Sequence, residues 1–199
     1  MKNILHIISS PKGDQSYSVQ LGNATIRYLL SIYPGSTVTE RWLIADEIPA
    51  LNDAQIRSFF VPHNGDGRDP NWYSDIILAE VKQADIIVVG APMYNFGIHA
   101  LLKAYIDQLV RPGHSFVYEA DGTRKGVLTN KMAYLCIASG GKYGEHFNPV
   151  EKYIVNYLQA ILNYVGINPV IPLVVEGTVD PAFAVDYDAI VLDNHQVLI

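Results

Sequence analysis

The sequence contains a single cysteine, Cys136, which lies within an apolar run. One cysteine excludes a disulfide framework within the chain and argues against a thiolate metal site. We expect Cys136 to be a buried structural thiol rather than a nucleophile. The six histidines show no metal-type spacing such as H-x-x-x-H, so the sequence predicts no metal site.

Charge is also scarce. Charged residues make up 17% of the chain, and the formal net charge is −6. The 14 basic residues are scattered, which argues against a nucleic-acid partner, because phosphate-backbone binding needs clustered Lys and Arg. Proteins with so few charges often bury extra surface in an oligomer, and the abundance of aromatic residues agrees with this. We therefore expect a homodimer.

Long apolar runs are missing. No stretch approaches the roughly 18 residues that suggest a transmembrane helix, so we expect no membrane association. Only one lysine and a short apolar segment precede Ser9-Ser10-Pro11, too little for a secretory signal. These features favour a soluble cytoplasmic protein. A length of 199 residues fits one sizeable core, so we expect a single domain over residues 1–199.

Several nucleotide and catalytic motifs are absent. The chain has no G-x-x-x-x-G-K-[ST], no G-x-G-x-x-G and no G-x-S-x-G. These absences argue against a P-loop nucleotide site, a Rossmann dinucleotide site and a hydrolase of the Ser-His-Asp type. The sequence shows no constellation of catalytic side chains.

The chain does show alternating strand and helix patterns. Such alternation predicts an α/β fold with a parallel sheet and helices on both faces. Five strands in this order fit the flavodoxin-like arrangement 2-1-3-4-5, whose ligand crevice lies between the ends of strands 1 and 3. Strands are predicted at 3–8, 37–43, 85–90, 131–138 and 168–175, a hairpin at 115–127, and helices at 16–32, 72–83, 99–110, 149–165 and about 181–193.

The most informative stretch is 91–97, Ala-Pro-Met-Tyr-Asn-Phe-Gly, directly after the apolar strand 85–90. Open α/β sheets bind ligands at loops that follow the carboxyl ends of central strands. Closely spaced backbone N–H groups and flat apolar faces suit a planar heteroaromatic ring such as a flavin. The alternative is a tight connection whose aromatic residues only cover the core.

Two further loops are predicted at the same edge of the sheet. The loop over 9–18 offers the hydroxyls of Ser10, Ser16 and Ser18 at a helix N-terminus, where a monophosphate would fit. These serines can equally be simple helix caps. The loop over 138–144 contains a Gly-Gly pair that allows close backbone approach to a ligand, although such pairs also make ordinary turns.

Together these loops resemble the FMN-dependent NADH-azoreductase family of flavodoxin-like quinone reductases. The segment Ala91 to Phe96 matches the family's flavin loop letter for letter, and the resemblance runs over nearly the whole chain. Ser139 stands where the family often has Arg. Other segments that resemble the family are the serine loop, residues 101–107, Phe116-x-Tyr118 and Ala138 to Gly141.

The resemblance implies an FMN-bound homodimer with ping-pong kinetics, in which NADH reduces the flavin and a quinone or aromatic azo compound then takes the electrons. It also implies that backbone N–H groups at Asn95, Gly140 and Gly141 stabilise negative charge on the reduced ring. The implied cofactor-binding residues are Ser10, Ser16, Tyr17, Ser18, Pro92, Met93, Tyr94, Asn95, Phe96, Ser139, Gly140 and Gly141.

Phe96, Phe116 and Tyr118 are the candidates for lining the substrate pocket above the flavin, completed by residues of a partner subunit. The main alternative is a flavodoxin-like carrier of single electrons, although such carriers are usually more acidic. A second alternative is an ester hydrolase acting on a phosphopantetheine-type substrate, for which the chain offers no nucleophile or metal set.

Overall fold

The alternation of apolar strands and amphipathic helices produces an α/β architecture in the computed structural model, which describes residues 1–60, 69–144 and 147–195. The segment Asn64 to Gly67, whose Asn-Gly-Asp-Gly sequence predicts a turn, lies outside the described residues. The elements are β1 (Asn3–Ile8), α1 (Tyr17–Ile32), β2 (Thr37–Trp42), α2 (Asp53–Ser58), α3 (Trp72–Gln83), β3 (Ile86–Pro92), α4 (Ala100–Leu109), β4 (Phe116–Tyr118), β5 (Arg124–Gly126), β6 (Met132–Ala138), α5 (Asn156–Val165), β7 (Val170–Val175) and α6 (Tyr187–His195).

Five strands form one parallel sheet in the order β2-β1-β3-β6-β7. Numbered over these five strands alone, the order is the predicted 2-1-3-4-5. Ile8 pairs with Gly90, and Pro92 pairs with Ala138, so β1, β3 and β6 end close to one another. The remaining strands, β4 and β5, form the predicted antiparallel hairpin outside the main sheet.

The sheet has a hydrophobic core on each face, because successive side chains of a strand point to opposite sides. Leu5 and Ile7 pack with buried residues of α3, α4 and α5. Ile4 packs with buried residues of α1 and α6. The prediction of helices on both faces is confirmed. Each fully buried Leu or Ile contributes about 1.5–3 kcal/mol to this arrangement.

Several element boundaries differ from the prediction. Strand β3 continues to Pro92, two residues beyond its predicted end at Gly90. The helix expected over 149–165 is wound as a π-helix at Glu151–Val155 before α5 begins. The last helix begins at Tyr187 rather than near 181, because the Asp186 carboxylate accepts a hydrogen bond from the Ala189 N–H at 3.0 Å and so caps it there.

Cys136 lies in the core, as predicted. It is fully buried on β6, and its Sγ lies 3.5 Å from the Thr25 hydroxyl. Burial raises the pKa of the Cys136 thiol to about 12. Cys136 is therefore protonated near neutral pH and has no nucleophilic role. None of the described helices is long and apolar enough to cross a membrane.

Candidate functional site

The three loops singled out in the sequence begin at one edge of the sheet, at the carboxyl ends of β1, β3 and β6. The Ser9 hydroxyl donates to the Gly90 carbonyl at 2.6 Å, which joins the first loop to β3. The Met93 N–H donates to the Ala138 carbonyl at 2.8 Å, which joins the second loop to the third. The structure thus brings 9–18, 91–97 and 138–144 together as the sequence predicts.

The serine loop presents buried hydroxyl groups that do not cap the helix behind them. Ser16 stands at the N-cap position of α1, but its side chain makes no capping hydrogen bond. Its Oγ instead lies 3.0 Å from Ser18 Oγ, and both serines are buried. Ser10 is also buried, and its Oγ accepts a weak bond from the Lys12 N–H at 3.3 Å. The interpretation of Ser16 as a simple helix cap is therefore wrong.

Backbone donors remain available next to these hydroxyls. Within the described chain, the N–H groups of Tyr17 and Ser18 have no hydrogen-bond partner, as is usual for the first turn of a helix. The positive end of the α1 dipole lies at the same place. The loop accordingly offers neutral donors and a partial positive charge, which together suit an anion without any Arg or Lys.

The second loop contains a tight turn with unusual backbone conformation. Tyr94 and Gly97 exchange both backbone hydrogen bonds at 2.9 Å. The two residues between them, Asn95 and Phe96, have φ of +50° and +62°. Positive φ at both central positions matches a type I′ turn, but a Phe there is uncommon and costs about 1–3 kcal/mol. The Asn95 N–H has no partner within the described residues.

The third loop uses its carbonyl groups and leaves N–H groups available. The carbonyls of Ser139, Gly140 and Gly141 accept hydrogen bonds from the N–H groups of Thr178, Val179 and Gly177, at 3.0–3.3 Å. In the described part of the chain, the N–H groups of Gly140 and Gly141 find no acceptor. The Ser139 hydroxyl donates to the Gly141 carbonyl at 2.8 Å. The loop thus presents two adjacent donors.

The glycines of this loop also allow close packing of other side chains. A Cβ at Gly140 would lie 2.9 Å from Val179 Cγ1, and a Cβ at Gly141 would lie 2.8 Å from the Tyr143 ring. Any larger residue at either position would have to displace these neighbours. The Gly-Gly pair is predicted to allow close approach of a ligand. In the structure, the side chains of Val179 and Tyr143 already approach these two glycines closely.

A fourth loop at the same edge was missed by the sequence analysis. Residues 176–186 follow β7 and pack against the third loop, leaving a cavity of about 550 Å³ between them. Phe183 of this segment contacts Tyr17 edge-to-face, with ring centroids 5.2 Å apart. Its place in the sequence could have revealed this loop, because it directly follows a predicted strand and every loop after a parallel strand lies at this edge of the sheet.

One carboxylate in that segment is incompletely satisfied. Oε1 of Glu176 is buried and has no hydrogen-bond partner among the described residues. Burial raises the pKa of Glu176, and the positive charge of Lys142 opposes that effect. No group of three or more His, Cys, Asp or Glu residues in the described ranges is arranged to hold a metal ion.

Two predicted pocket residues lie elsewhere. Phe116 and Tyr118 belong to the β4–β5 hairpin, which follows α4 and precedes the start of β6. The hairpin packs on the end of α5, where Phe116 contacts Tyr164 with ring centroids 4.9 Å apart. This is the amino-terminal edge of the sheet, opposite the three loops. Within one chain, therefore, Phe116 and Tyr118 do not share a pocket with Phe96. The prediction that these three residues line one pocket is wrong for a single subunit.

Comparison with known proteins agrees with this geometry. A family model described as "Flavodoxin-like fold" matches residues 2–193. The chain is 36% identical over 189 residues to the FMN-dependent NADH:quinone oxidoreductase of Beijerinckia indica, covering 94% of this chain and 93% of the relative. It is 35% identical over 180 residues to the enzyme of the same name from Aromatoleum aromaticum, covering 88% and 87%.

A solved structure shows the same similarity in three dimensions. The azoreductase from Bacillus anthracis superposes with a TM-score of 0.80 at 26% identity, covering 99% of this chain and 96% of that one. Identity and coverage of this extent, together with the family model, establish common descent. The chain therefore belongs to the flavodoxin-like family that contains the FMN-dependent NADH:quinone oxidoreductases.

Proposed function

We propose that residues 1–199 form one FMN-binding domain that acts as an FMN-dependent NADH:quinone oxidoreductase and also reduces aromatic azo compounds. The observation that carries this proposal is the meeting of three loops with unused backbone donors at one edge of the sheet. The names of the curated relatives, matched over nearly the whole chain, support the same function.

The serine loop fits the phosphate of FMN. Ser10, Ser16 and Ser18 supply buried hydroxyls, and the free N–H groups of Tyr17 and Ser18 supply two further donors. A phosphate held this way would depend on hydrogen bonds and the helix dipole rather than on ion pairs. FAD is less suitable, because the chain has no fingerprint for its adenosine half.

The other two loops fit the flavin ring. The N–H groups of Asn95, Gly140 and Gly141 would face its polar atoms and stabilise negative charge there. Ser139 replaces the Arg that the family often has, and its hydroxyl is already bonded to the Gly141 carbonyl. The pyrimidine edge would therefore rely on backbone donors. Pro92, Met93, Tyr94 and Phe96 would provide the surrounding apolar surface.

Bound FMN would accept a hydride from NADH and pass two electrons to the acceptor. With a quinone, NADH and one proton yield NAD⁺ and the hydroquinone. With an azo compound, the same two electrons and two protons convert the N=N bond to a hydrazo N–N bond. The chain would position both substrates at one site, so NAD⁺ must leave before the acceptor enters. This order is ping-pong.

We also propose a homodimer in which the hairpin of one subunit covers the candidate site of the other. Tyr118 is 67% exposed on the hairpin, at the edge of the sheet opposite Phe96, whereas Phe116 is buried between Tyr118 and Tyr164. Tyr118 could therefore join the pocket only across a subunit interface, and Phe116 would support it from behind. A cytoplasmic location accompanies the proposal, because NADH is available there.

The test is a spectrum of the purified protein. We expect a yellow protein, or a colourless one that takes up added FMN in preference to FAD. Anaerobic NADH should bleach the bound FMN, and menadione should restore the colour. Double-reciprocal plots at several acceptor concentrations should be parallel. A single-electron carrier would instead be reduced very slowly by NADH, and that result, or a failure to bind FMN, would refute the proposal.

A further inference from the structure

The turn between α4 and the hairpin is held against α3 by a buried arginine. The Arg111 side chain is buried, and its Nη1 donates to the Asp75 carboxylate of α3 at 2.6 Å. Its Nη2 lies 2.9 Å from Nε2 of His114, three residues further along the chain. Asp75, Arg111 and His114 therefore form one continuous cluster that joins the turn to α3.

The contact between Arg111 and His114 requires a neutral imidazole. A guanidinium group stays charged in proteins and can only donate hydrogen bonds. Nε2 of His114 must therefore accept, and the ring proton must lie on Nδ1. A protonated imidazole would instead place an N–H group and a positive charge against the guanidinium. Protonation of His114 consequently breaks this contact.

The surroundings of His114 favour the neutral ring. His114 faces Arg111 on its own turn, and Lys82 and Asp75 on α3. Burial lowers the pKa of His114 below 6.5, the positive charges of Arg111 and Lys82 lower it further, and Asp75 opposes them with the smallest effect. The contact is therefore intact near pH 7 and is lost only below pH 6.5. The side chain is exposed, so solvent protons can reach it without opening of the core.

The same turn forms the base of the β4–β5 hairpin. The Ser115 hydroxyl accepts a hydrogen bond from the Arg111 N–H at 2.8 Å, and the Ser115 carbonyl accepts one from the Val127 N–H at 3.0 Å. The Gly113 N–H donates to the Phe116 carbonyl at 2.8 Å. These bonds connect the turn to the start of β4 and to the end of β5. A shift of the turn therefore moves the base of the hairpin.

The second attachment of the hairpin, on α5, does not depend on pH in this range. The Arg124 guanidinium carbon lies 3.9 Å from the centroid of the Tyr164 ring. Arginine stays charged, and burial raises the pKa of Tyr164 above its usual value of 10.0. Of the two attachments, only the one at the turn changes in mild acid. The hairpin would stay on α5 while its base is freed.

We propose that His114 is a pH-sensitive latch, whose neutral ring holds the base of the hairpin against α3 and whose protonation in mild acid releases it. The latch lies within a single chain. Release and protonation favour each other, because a released imidazole is solvated and no longer faces the guanidinium. Its effect on catalysis rests on the proposed function, in which Tyr118 of the hairpin joins the site of a partner subunit.

The first experiment follows the latch by NMR of the full chain. The His114 ring should carry its proton on Nδ1 near neutral pH and titrate with a midpoint below 6.5. The amide signals of Gly113, Phe116 and Val127 should shift with the same midpoint. Their protection against hydrogen exchange, corrected for the intrinsic pH dependence, should fall at least about threefold on protonation, which is the effect of one lost hydrogen bond.

Matched substitutions separate charge from packing. A Gln amide reaches about as far as Nε2 of a histidine and can accept from Arg111, but it does not titrate. His114→Gln should therefore keep the hairpin amides constant between about pH 8 and about pH 5. His114→Ala should show the released state at every pH. Lys82→Met removes a positive charge that acts on the ring, and it should move the His114 midpoint to higher pH while leaving the latch intact.

The second experiment measures quinone reduction by the FMN-loaded protein. Lowering the pH from about 8 to about 5 should raise KM for the quinone more in the unmodified protein than in His114→Gln. The change in kcat should be the same in both, because His114 touches neither cofactor nor substrate in the proposed site. His114→Ala should have the raised KM already at neutral pH.

The outcomes distinguish the latch from the proposed function. A His114 ring that titrates while the hairpin amides stay unchanged would overturn the latch, as would equal responses of the amides in the unmodified protein and in His114→Gln. A latch detected by NMR in a protein that reduces no quinone would refute the proposed function and retain the latch. Quinone reduction with the same pH dependence of KM in both proteins would retain the function and overturn the latch's effect on catalysis.

Discussion

The ring of His6 occupies the space that a side chain at position 22 would need. His6 is on β1 and fully buried, and a Cβ built on Gly22 of α1 would lie 2.5 Å from its Nε2. Neither ring nitrogen has a hydrogen-bond partner within the described residues. Helix α1, which follows the serine loop, therefore packs closely on the sheet at Gly22, and the imidazole ring of His6 lies between them.

Gly22→Ala should destabilise the protein, although Ala normally stabilises a helix interior relative to Gly by about 0.5–1 kcal/mol. The added methyl group would collide with a fully packed ring, and overpacking of this kind costs about 1–3 kcal/mol. Urea denaturation measures the change. The double variant Gly22→Ala with His6→Ala should recover part of the lost stability relative to His6→Ala alone, and the absence of such coupling would contradict the steric explanation.

Stability should depend on pH through His6. Burial lowers the pKa of His6 from 6.5 to about 4 in the folded protein, because the charged imidazolium is poorly solvated there, and Glu40 only partly offsets this effect. Below pH 6.5 the unfolded chain binds a proton that the folded protein does not. Stability should therefore fall between pH 6.5 and about 4, by about 3 kcal/mol for this group.

The measurement is the free energy of unfolding across that pH range, in the unmodified protein and in His6→Leu. The comparison concerns slopes, since the substitution itself changes packing. The variant should lose the His6 contribution to the slope and keep the part that comes from carboxylates. Identical slopes in the two proteins would show that another group carries the pH dependence.

Replacing Ser16 and Ser18 together with Ala should weaken FMN binding at least about tenfold. Hydrogen bonds to a charged phosphate are worth about 1.5–3 kcal/mol each, and both hydroxyls are buried 3.0 Å apart at the start of α1. Fluorescence titration of the apoprotein with FMN gives the Kd. Ser31→Ala, on an exposed turn of the same helix, is the matched control and should bind FMN normally. Unchanged affinity in the double variant would leave these serines without a role in phosphate binding.

Gly126→Ala should detach the hairpin and with it the proposed dimer. A Cβ at Gly126 would overlap the backbone of Val165 and Gly166, which cannot move as a side chain can. Light scattering should show a monomer with reduced quinone reductase activity, while circular dichroism shows the main fold retained. Gly144→Ala, where a Cβ would meet no atom of the described residues within 4 Å, should remain dimeric. A fully active monomer in either protein would contradict a site completed across the interface.

Much of the fold and part of the site follow from local sequence. The apolar runs at β1, β3 and β6 are buried strands because their residues are apolar on both faces, as a parallel sheet covered on both sides requires. The position of each loop after a strand then fixes the edge at which it emerges. The residue identities of the segment Ala91 to Phe96 were sufficient to indicate the family, and no knowledge of tertiary contacts was needed.

Other features depend on contacts between residues distant in the chain, which no local pattern encodes. The burial of His6 follows from how closely α1 packs at Gly22, and the hairpin's position follows from its fit to Gly166. The carbonyl groups of residues 139–141 accept backbone hydrogen bonds only because the segment after β7 lies beside them. The sequence by itself determined the alternation of strands and helices and the edge that holds the site. The tertiary structure alone decided which donors stay unpaired and which aromatic rings meet, because both depend on packing across the whole sheet.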